Sequence, residues 1–321
     1  QTIIDVAVSQ DVALVLWSET TDDDTSTLYF DRLTLPDLAP VGTDVALAEG
    51  SGFRAAAAES GGWFMIVWSV YRAPGIKAYA TPIRSYVPEL SDFPLSDGGS
   101  DPEVAGDGNV FLAVWTAPSS KMGPHGTPLS DIRAARAGIG MVTPFRGLVV
   151  SSVEADHTAP LVTWSGDAYL VAWSVIAWLW QPLGGVSARF VTADGIPLGA
   201  EEITIAPLAR YGPQLVSLDS SGSDALIGRG NFEYGNGMLI PSTDDLARAY
   251  GGTPVPLRLP YVAWDGASYL AAASPMDAWA PGAAVIAETV AIEPLPRSHD
   301  GTISRVFVAV AEPYRARPVR R

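Results

Sequence analysis

Three arginines stand shortly before apolar segments that are typical of β-strands: Arg54, Arg210 and Arg258. A guanidinium group matches a carboxylate with paired hydrogen bonds, so arginines that converge would bind a carboxylate. We expect each of the three to lie in a link that leads into the innermost strand of a repeated sheet, and to face a common axis. The alternative is ordinary ion pairing on the surface of a chain whose formal net charge is −15.

Histidine and nucleophile chemistry finds little support in the sequence. The three histidines, His125, His157 and His299, have no spacing that would place them together as metal ligands on one strand or helix. The chain has no cysteine, which excludes disulfides and thiolate sites, and it has no G-x-S-x-G nucleophile motif. The sequence therefore predicts no catalytic residue and no metal site.

The sequence contains one candidate cation site, the acidic run Asp22, Asp23 and Asp24. Their oxygens would suit Ca²⁺, but the run lacks the glycine and the distal glutamate of the established calcium loop. We interpret it as a solvated acidic loop, and we expect no cofactor.

The segments that must position these residues repeat along the chain. Strand, tight turn and strand follow one another in stretches that begin at Val8, Ala57, Pro102, Pro160, Pro260 and, more weakly, Pro213. Four of the second strands contain a tryptophan at one equivalent place: Trp17, Trp68, Trp115 and Trp173. The repeat is about fifty residues long, which is in the range of propeller blades. We interpret these tryptophans as residues that pack neighbouring sheets.

The turns between the paired strands support this pattern. Asp107-Gly108, Ser165-Gly166 and Asp265-Gly266 lie between apolar runs, and glycine supplies the positive φ that a tight hairpin needs. A third strand follows each hairpin, and a fourth follows in most copies. The sequence therefore predicts four-stranded antiparallel sheets that repeat along the chain.

Two copies, "PYVAWDGASYL" and "PLVTWSGDAYLVAW", resemble the blades of secreted bacterial β-propeller proteins, which follow the pattern P-x-V-A-W-D-G-x-x-Y-L-V-x-W. The resemblance implies an all-β fold and no particular function, because propellers serve as binders, scaffolds and enzymes. We predict one six-bladed β-propeller of four-stranded antiparallel blades, with two separate β-sandwiches as the competing architecture. The predicted blades span approximately 1–50, 51–99, 100–156, 157–209, 210–256 and 257–312, with a basic tail at 313–321.

Aromatic residues recur in the segments that join the second and third strands. In a blade these segments share a face with the links into the next innermost strand, and we expect "SVIAWLWQPLGG", Ser174–Gly185, to be such a loop. Aromatic rings give a large contact area at a low cost in side-chain entropy. The candidate binding residues are Tyr71, Trp178, Trp180, Phe232, Tyr234 and Trp279. The alternative is that the rings fold back over the ends of the blades.

These patterns favour a non-catalytic binding or scaffold module that contacts a protein or a glycan partner through the aromatic face. The alternative is a glycan-active hydrolase or lyase that uses the same face and the three arginines. Sialidases place an arginine cluster on six-bladed propellers, although their S-x-D-x-G-x-T-W motif is absent and "SHDGTIS" is a poor match. Paired carboxylates at the axis would favour the enzyme, and a broad apolar patch would favour the binder.

Charge and hydropathy exclude two classes of partner. The strongly negative net charge argues against nucleic acid, whose phosphates need clustered Lys and Arg. No apolar run is long enough for a membrane-spanning helix. Because the sequence opens at Gln1 rather than Met, we expect a removed leader and an extracytoplasmic location.

Overall fold

The computed structural model describes residues 1–20, 25–71, 75–82, 92–123, 126, 128–138, 141–151, 154–179, 181–199, 202–210, 214–220, 224–230, 235–241, 253–255, 261–264, 269–273, 286–292 and 309–312. These residues form six antiparallel sheets, and each sheet consists of strands that are consecutive along the chain. The described residues contain no α-helix, and hence none that is long and apolar enough to cross a membrane.

The first three sheets cover the N-terminal half of the described chain. Sheet 1 contains β1 (Thr2–Ser9), β2 (Val12–Thr20), β3 (Ser26–Thr34), β4 (Ala39–Pro40) and β5 (Val45–Gly50), and both β4 and β5 pair with β3. Sheet 2 contains β6 (Arg54–Ser60), β7 (Trp63–Ser69), β8 (Ile76–Pro82) and β9 (Phe93–Ser96). Sheet 3 contains β10 (Ser100–Gly106), β11 (Phe111–Met122), β12 (Pro128–Gly138) and β13 (Met141–Val149).

The other three sheets follow in the same way. Sheet 4 contains β14 (Asp156–Trp164), β15 (Tyr169–Leu179), β16 (Gln181–Val191) and β17 (Ile203–Arg210). Sheet 5 contains β18 (Gln214–Ser220), β19 (Asp224–Gly230), β20 (Gly235–Pro241) and β21 (Thr253–Val255). Sheet 6 contains β22 (Tyr261–Trp264), β23 (Tyr269–Ala273), β24 (Ile286–Ile292) and β25 (Ala309–Glu312).

The first strand of each sheet packs beside the first strand of the next sheet. The succession runs through β1, β6, β10, β14, β18 and β22. The predicted four-stranded antiparallel sheets are confirmed in sheets 2 to 6, sheet 1 has a fifth strand, and the first strands lie on the inside of the arrangement. We call these six strands the inner strands.

Two of the predicted tight turns lie in the described part of the chain and are confirmed. Asp107 N donates to Val110 O at 3.2 Å and Ser165 N donates to Ala168 O at 2.9 Å. The glycines of these turns, Gly108 and Gly166, have φ of 91° and 95°, a region that residues with a Cβ rarely adopt. The turn Asp265-Gly266 lies outside the described residues.

Three of the four repeated tryptophans fill the spaces between sheets. Trp68 packs between sheets 1 and 2, Trp115 between sheets 2 and 3, and Trp173 between sheets 3 and 4, and all three are fully buried. In each case the indole faces the preceding sheet. Trp17 is half-buried and stacks on Tyr29 with ring centroids 5.7 Å apart.

The prediction of a loop around Trp178 is wrong, because the segment forms the ends of two paired strands. β15 continues to Leu179, β16 begins at Gln181, and Trp178 pairs with Pro182 across the two strands. β11 and β12 extend in the same way as far as the pair Met122 and Pro128. Pairing satisfies the backbone groups of both long segments, and this outweighs the turn tendency of the proline and glycines that follow Trp180. We call these two projections the hairpin arms.

Candidate active site

Four of the six inner strands have an irregularity near their N-terminal ends. One extra residue interrupts the pairing with the second strand between Ile3 and Asp5, Ser100 and Glu103, Thr158 and Leu161, and Leu215 and Ser217. Two of these bulges contain a non-glycine residue with positive φ, Asp101 and Ala159, both at 49°. A bulge re-aims the side chains beside it, and bulges are enriched next to active sites.

In sheets 1, 3 and 4 the residue that follows the bulge lies opposite the residue just before the repeated tryptophan. In sheets 1 and 3 this residue is a carboxylic acid: Asp5 pairs with Leu16, and Glu103 pairs with Val114. In sheets 2 and 4 the equivalent residues are Ala56 and Leu161. In sheet 5 the residue after the bulge is Ser217, so the two acids depart from a position that is otherwise uncharged in sheets 2, 4 and 5.

Asp5 is held by the backbone of two sheets. Its Oδ1 accepts the N–H of Val6 and its Oδ2 accepts the N–H of Ala57 on β6, both at 2.8 Å. Burial raises the pKa of Asp5 above its usual value, whereas the two backbone N–H groups oppose that shift by stabilising the ionised form. The bond to Ala57 also fixes the carboxylate between sheets 1 and 2.

Glu103 lies in a less favourable setting for charge. Burial is the largest cause of a pKa well above the usual range, and the negative charges of Asp5 and Asp101 raise the pKa further. The charge of Asp5 acts on Glu103 across sheet 2, where the equivalent residue is the small Ala56. We call Asp5 and Glu103 the carboxylate pair.

Arg54 and Asp101 connect sheets 2 and 3, and Asp101 is close to Glu103 on the same strand. The Nε of Arg54 is 3.6 Å from Oδ1 of Asp101, and the arginine side chain is 74% exposed. Ser100 Oγ donates to the other oxygen of Asp101 at 2.8 Å. An exposed guanidinium is thereby held next to Asp101, two residues before Glu103 on β10.

The surroundings of the two acids differ in how they treat the ionised form. Burial raises the pKa of both, but Asp5 accepts two backbone N–H groups that stabilise its carboxylate, whereas the charges of Asp5 and Asp101 raise the pKa of Glu103 further. A proton donor beside an ionised carboxylate is the arrangement that general acid and base catalysis requires. Within the described residues no cluster of three or more His, Asp or Glu side chains has the geometry of a metal site.

The residues predicted as binding candidates are placed as follows. Arg54 is the first residue of β6 and Arg210 is the last residue of β17, the outermost strand of sheet 4. Tyr71 follows β7, is 63% exposed, and its N–H donates to Ser51 O at 3.0 Å, which places it at the same end of sheet 2 as Arg54. Trp178 lies in a hairpin arm.

The remaining candidates lie outside the described residues. They are Trp180, Phe232, Tyr234, Trp279, Arg258, and the acidic run Asp22, Asp23 and Asp24. The aromatic binding face and the convergence of three arginines therefore stay predictions.

His157 has a structural environment. It is fully buried, its Nδ1 is 3.0 Å from Ser130 O, and its ring meets Trp173 edge to face at a centroid distance of 6.1 Å. Burial lowers the pKa of His157, so the ring is neutral in the folded protein. His125 and His299 lie outside the described residues.

The sequence does contain a signal for the carboxylate pair, although the loops and the three arginines pointed to other residues. "DVA" from Asp5 and "EVA" from Glu103 occupy the same place in the repeat, where the other described copies are apolar or small. An acid at this position of the inner strand loses solvation free energy when it is ionised, unless the fold supplies hydrogen bonds or a charged partner. Aligning the copies on the tryptophan would have exposed both residues.

Comparison with known proteins gives a fold and no family. No family model matches the sequence, and no curated protein matches it significantly. Among solved structures, a glycoside hydrolase family 93 α-L-arabinofuranosidase of Fusarium graminearum in complex with arabinobiose aligns at TM-score 0.54 and 10% identity, covering 90% of this chain and 93% of that chain.

Two further structures are similar to the same extent. The β-propeller domain of the Trilobed protease from Pyrococcus furiosus aligns at TM-score 0.51 and 7% identity, covering 97% of this chain and 85% of that chain. A puromycin hydrolase mutant complexed with PGG aligns at TM-score 0.52 and 13% identity over 90% of this chain, which spans 45% of that protein.

The order of the sheets and these similarities define the chain as a β-propeller. In this fold each sheet is a blade and the first strand of each blade lines the central channel. The carboxylate pair and Arg54 therefore lie on strands that line the channel, towards the end from which the hairpin arms project.

Proposed function

We propose that the protein is a glycan-active hydrolase whose reaction takes place at the carboxylate pair. The observation that carries this proposal is the presence of two acids, Asp5 and Glu103, on inner strands of a propeller, with environments that act differently on their ionised forms. Hydrolysis of a glycosidic bond uses two carboxyl groups, one protonated and one ionised. The likeness of the fold to an arabinofuranosidase supports the choice of a glycan substrate.

Each acid has a separate role in this proposal. Glu103 donates its proton to the oxygen of the leaving sugar as the glycosidic bond breaks. Asp5 accepts a proton from the attacking water, while the N–H groups of Val6 and Ala57 hold the carboxylate in place. The six sheets form six blades around one axis in this proposal, and the hairpin arms of sheets 3 and 4 form one wall of the channel mouth.

Glycoside hydrolysis by point variants tests the proposal. Wild-type protein is incubated with aryl glycosides and with oligosaccharides, arabino-oligosaccharides included, at several pH values. We expect Glu103→Gln and Asp5→Asn each to lower the rate by roughly 10²-fold or more, in the range of general acid and base catalysis. The control Glu49→Gln changes an exposed acid on β5 and leaves the rate unchanged.

The leaving group distinguishes the two roles. An aryl leaving group of low pKa needs no proton, so it restores the rate of Glu103→Gln and does not restore that of Asp5→Asn. Hydrolysis that survives both substitutions would place the chemistry elsewhere. If no glycan is hydrolysed and glycans or proteins bind instead, the non-catalytic module becomes the better description.

A further inference from the structure

An exposed ion pair lies where two of the inner strands begin. Arg54 is the first residue of β6, and its Nε is 3.6 Å from Oδ1 of Asp101 on β10. The two side chains are 74% and 35% exposed, so solvent reaches both. β10 begins opposite Thr116, and from there β11 runs on into its hairpin arm. The ion pair therefore lies at the end of the channel from which the arms project, and we call it the mouth pair.

The mouth pair is a short distance along the strands from the carboxylate pair. Asp101 is two residues before Glu103, so their Cα atoms are at most about 7 Å apart. Arg54 is three residues before Ala57, a separation of at most about 11 Å. The N–H of Ala57 binds Asp5 at 2.8 Å. A glycan whose scissile bond lies at the carboxylate pair can therefore extend to the mouth pair.

The bulge in β10 fixes the position of Asp101. Asp101 lies between Ser100 and Glu103, where the pairing with β11 is interrupted, and its φ is 49°. A non-glycine residue in this region is strained, and such residues cluster at ligand-binding sites. Ser100 Oγ donates to Oδ2 of Asp101 at 2.8 Å, while Oδ1 lies beside Arg54. Both oxygens are thereby held in place, and each keeps a lone pair that can accept a further hydrogen bond.

The mouth pair offers hydrogen-bond donors and acceptors side by side. The ion pair is made through Nε of Arg54, so the N–H groups of Nη1 and Nη2 remain for a ligand. A hydroxyl group both donates and accepts, so of two neighbouring hydroxyls one can accept from Arg54 and the other can donate to Asp101. An ionised carboxylate only accepts, and Asp101 would repel it.

The charge around the mouth pair also disfavours an acidic ligand. The negative charges of Asp5 and Asp101 both act on Glu103, and the whole chain has a formal net charge of −15. The positive charge of Arg54 is already balanced by Asp101. The carboxylate that Arg54 binds in the structure is therefore one of the chain's own.

We propose that the mouth pair is a binding subsite for a neutral sugar with two adjacent hydroxyl groups, and that it selects against uronic acids. Arg54 donates to the oxygen of one hydroxyl, and Asp101 accepts the proton of the other. This inference rests on the proposed hydrolase function, and it adds the class of sugar and the two residues that select it.

Neutral and acidic disaccharides test the selection. Arabinobiose, xylobiose and galactobiose are compared with digalacturonic acid, which differs from galactobiose by a carboxylate on each ring. Binding is measured by isothermal titration calorimetry to Glu103→Gln, which removes the proton donor of the proposed reaction. We expect at least one neutral disaccharide to bind about 10-fold or more tightly than digalacturonic acid, and Arg54→Gln in this background to weaken its binding by about 10-fold.

A second ion pair supplies the matched control. Arg136 and Asp194 are exposed and 3.1 Å apart, and we expect Arg136→Gln to leave every affinity unchanged. Exposed ion pairs contribute little to stability, so Arg54→Gln and Arg136→Gln should have similar melting temperatures.

Asp101→Asn gives a readout that loss of structure would not produce. Asparagine tolerates the positive φ, and the substitution frees the guanidinium from its own carboxylate. We expect this variant to bind neutral disaccharides more weakly and digalacturonic acid more tightly, because the freed guanidinium can then pair with a sugar carboxylate.

The results separate this proposal from the proposed function. Tighter binding of digalacturonic acid than of any neutral sugar, lost in Arg54→Gln, would show that Arg54 takes a sugar carboxylate and would overturn the proposal. Equal affinities of the Arg54→Gln and Arg136→Gln variants, or no binding of any neutral sugar, would overturn it as well. Arg54-dependent binding of a neutral sugar that the wild-type protein does not hydrolyse would instead leave the subsite in place and remove the hydrolase.

Discussion

Trp115 is the residue whose removal tests the packing of the propeller most directly. Its indole is fully buried between sheets 2 and 3. Two glycines enclose it: a Cβ on Gly99 would lie 2.7 Å from Cδ1 of the ring, and a Cβ on Gly147 would lie 2.7 Å from Cη2. The surrounding backbone is therefore shaped to the indole and can collapse only in part if the ring is removed.

We expect Trp115→Ala to lower the free energy of unfolding by about 3–5 kcal/mol, the range for truncation of a buried tryptophan. In a chain of this size that loss corresponds to a fall of about 6 °C or more in melting temperature. The value belongs at the upper end of the range because the ring touches sheet 2 as well as its own sheet.

Thermal unfolding followed by circular dichroism, together with urea unfolding, measures this loss. Tyr71→Ala is the matched control, because Tyr71 is an aromatic residue that is 63% exposed, and we expect it to change stability by about 0.5 kcal/mol or less. Similar losses for the two variants would refute the assignment of Trp115 to the core between the sheets.

Gly147→Ala extends the same reasoning. The new methyl group would press on the indole of Trp115, on Ala134 O at 2.9 Å and on a backbone with φ of +65°. We expect the substitution to destabilise the protein, and to do so less in the Trp115→Ala background, where the contact with the ring is absent. Strict additivity of the two changes in a double-mutant cycle would contradict this geometry.

The remaining predictions concern charge and pH. Burial lowers the pKa of His157 below 6.5, its value in the unfolded chain. The unfolded chain therefore binds more protons as the pH falls below 6.5, and the folded state loses stability. We expect His157→Phe to reduce this acid-side fall in melting temperature. Burial raises the pKa of Glu103, so the folded state loses stability as the pH rises above the pKa of an ordinary glutamate. Glu103→Gln removes this ionisation, and we expect it to melt at a higher temperature than wild type at neutral pH. Arg189 is buried and its Nη1 donates to Val150 O at 2.9 Å, so Arg189→Leu leaves that carbonyl without its donor and costs about 1–3 kcal/mol in urea unfolding.

The sequence by itself determined the repeat and its local structure. Alternating apolar residues on either side of Asp107-Gly108 and Ser165-Gly166 predict hairpins because strand periodicity and turn chemistry are local properties of the chain. The recurrence of Trp68, Trp115 and Trp173 at one place in the repeat identified them as packing residues, and their complete burial confirms this. The four-stranded antiparallel sheets follow from the same local patterns.

The tertiary structure decided which residues meet. The segment around Trp178 contains the residues of a loop, but pairing with Pro182 makes it a strand, because a partner strand satisfies the backbone at low cost. Asp5 and Glu103 are 98 positions apart in the sequence, and no local pattern places their carboxyl groups near each other. The stacking of successive sheets brings these two acids onto strands that line one channel, where burial raises the pKa of both and the charge of Asp5 raises the pKa of Glu103 further.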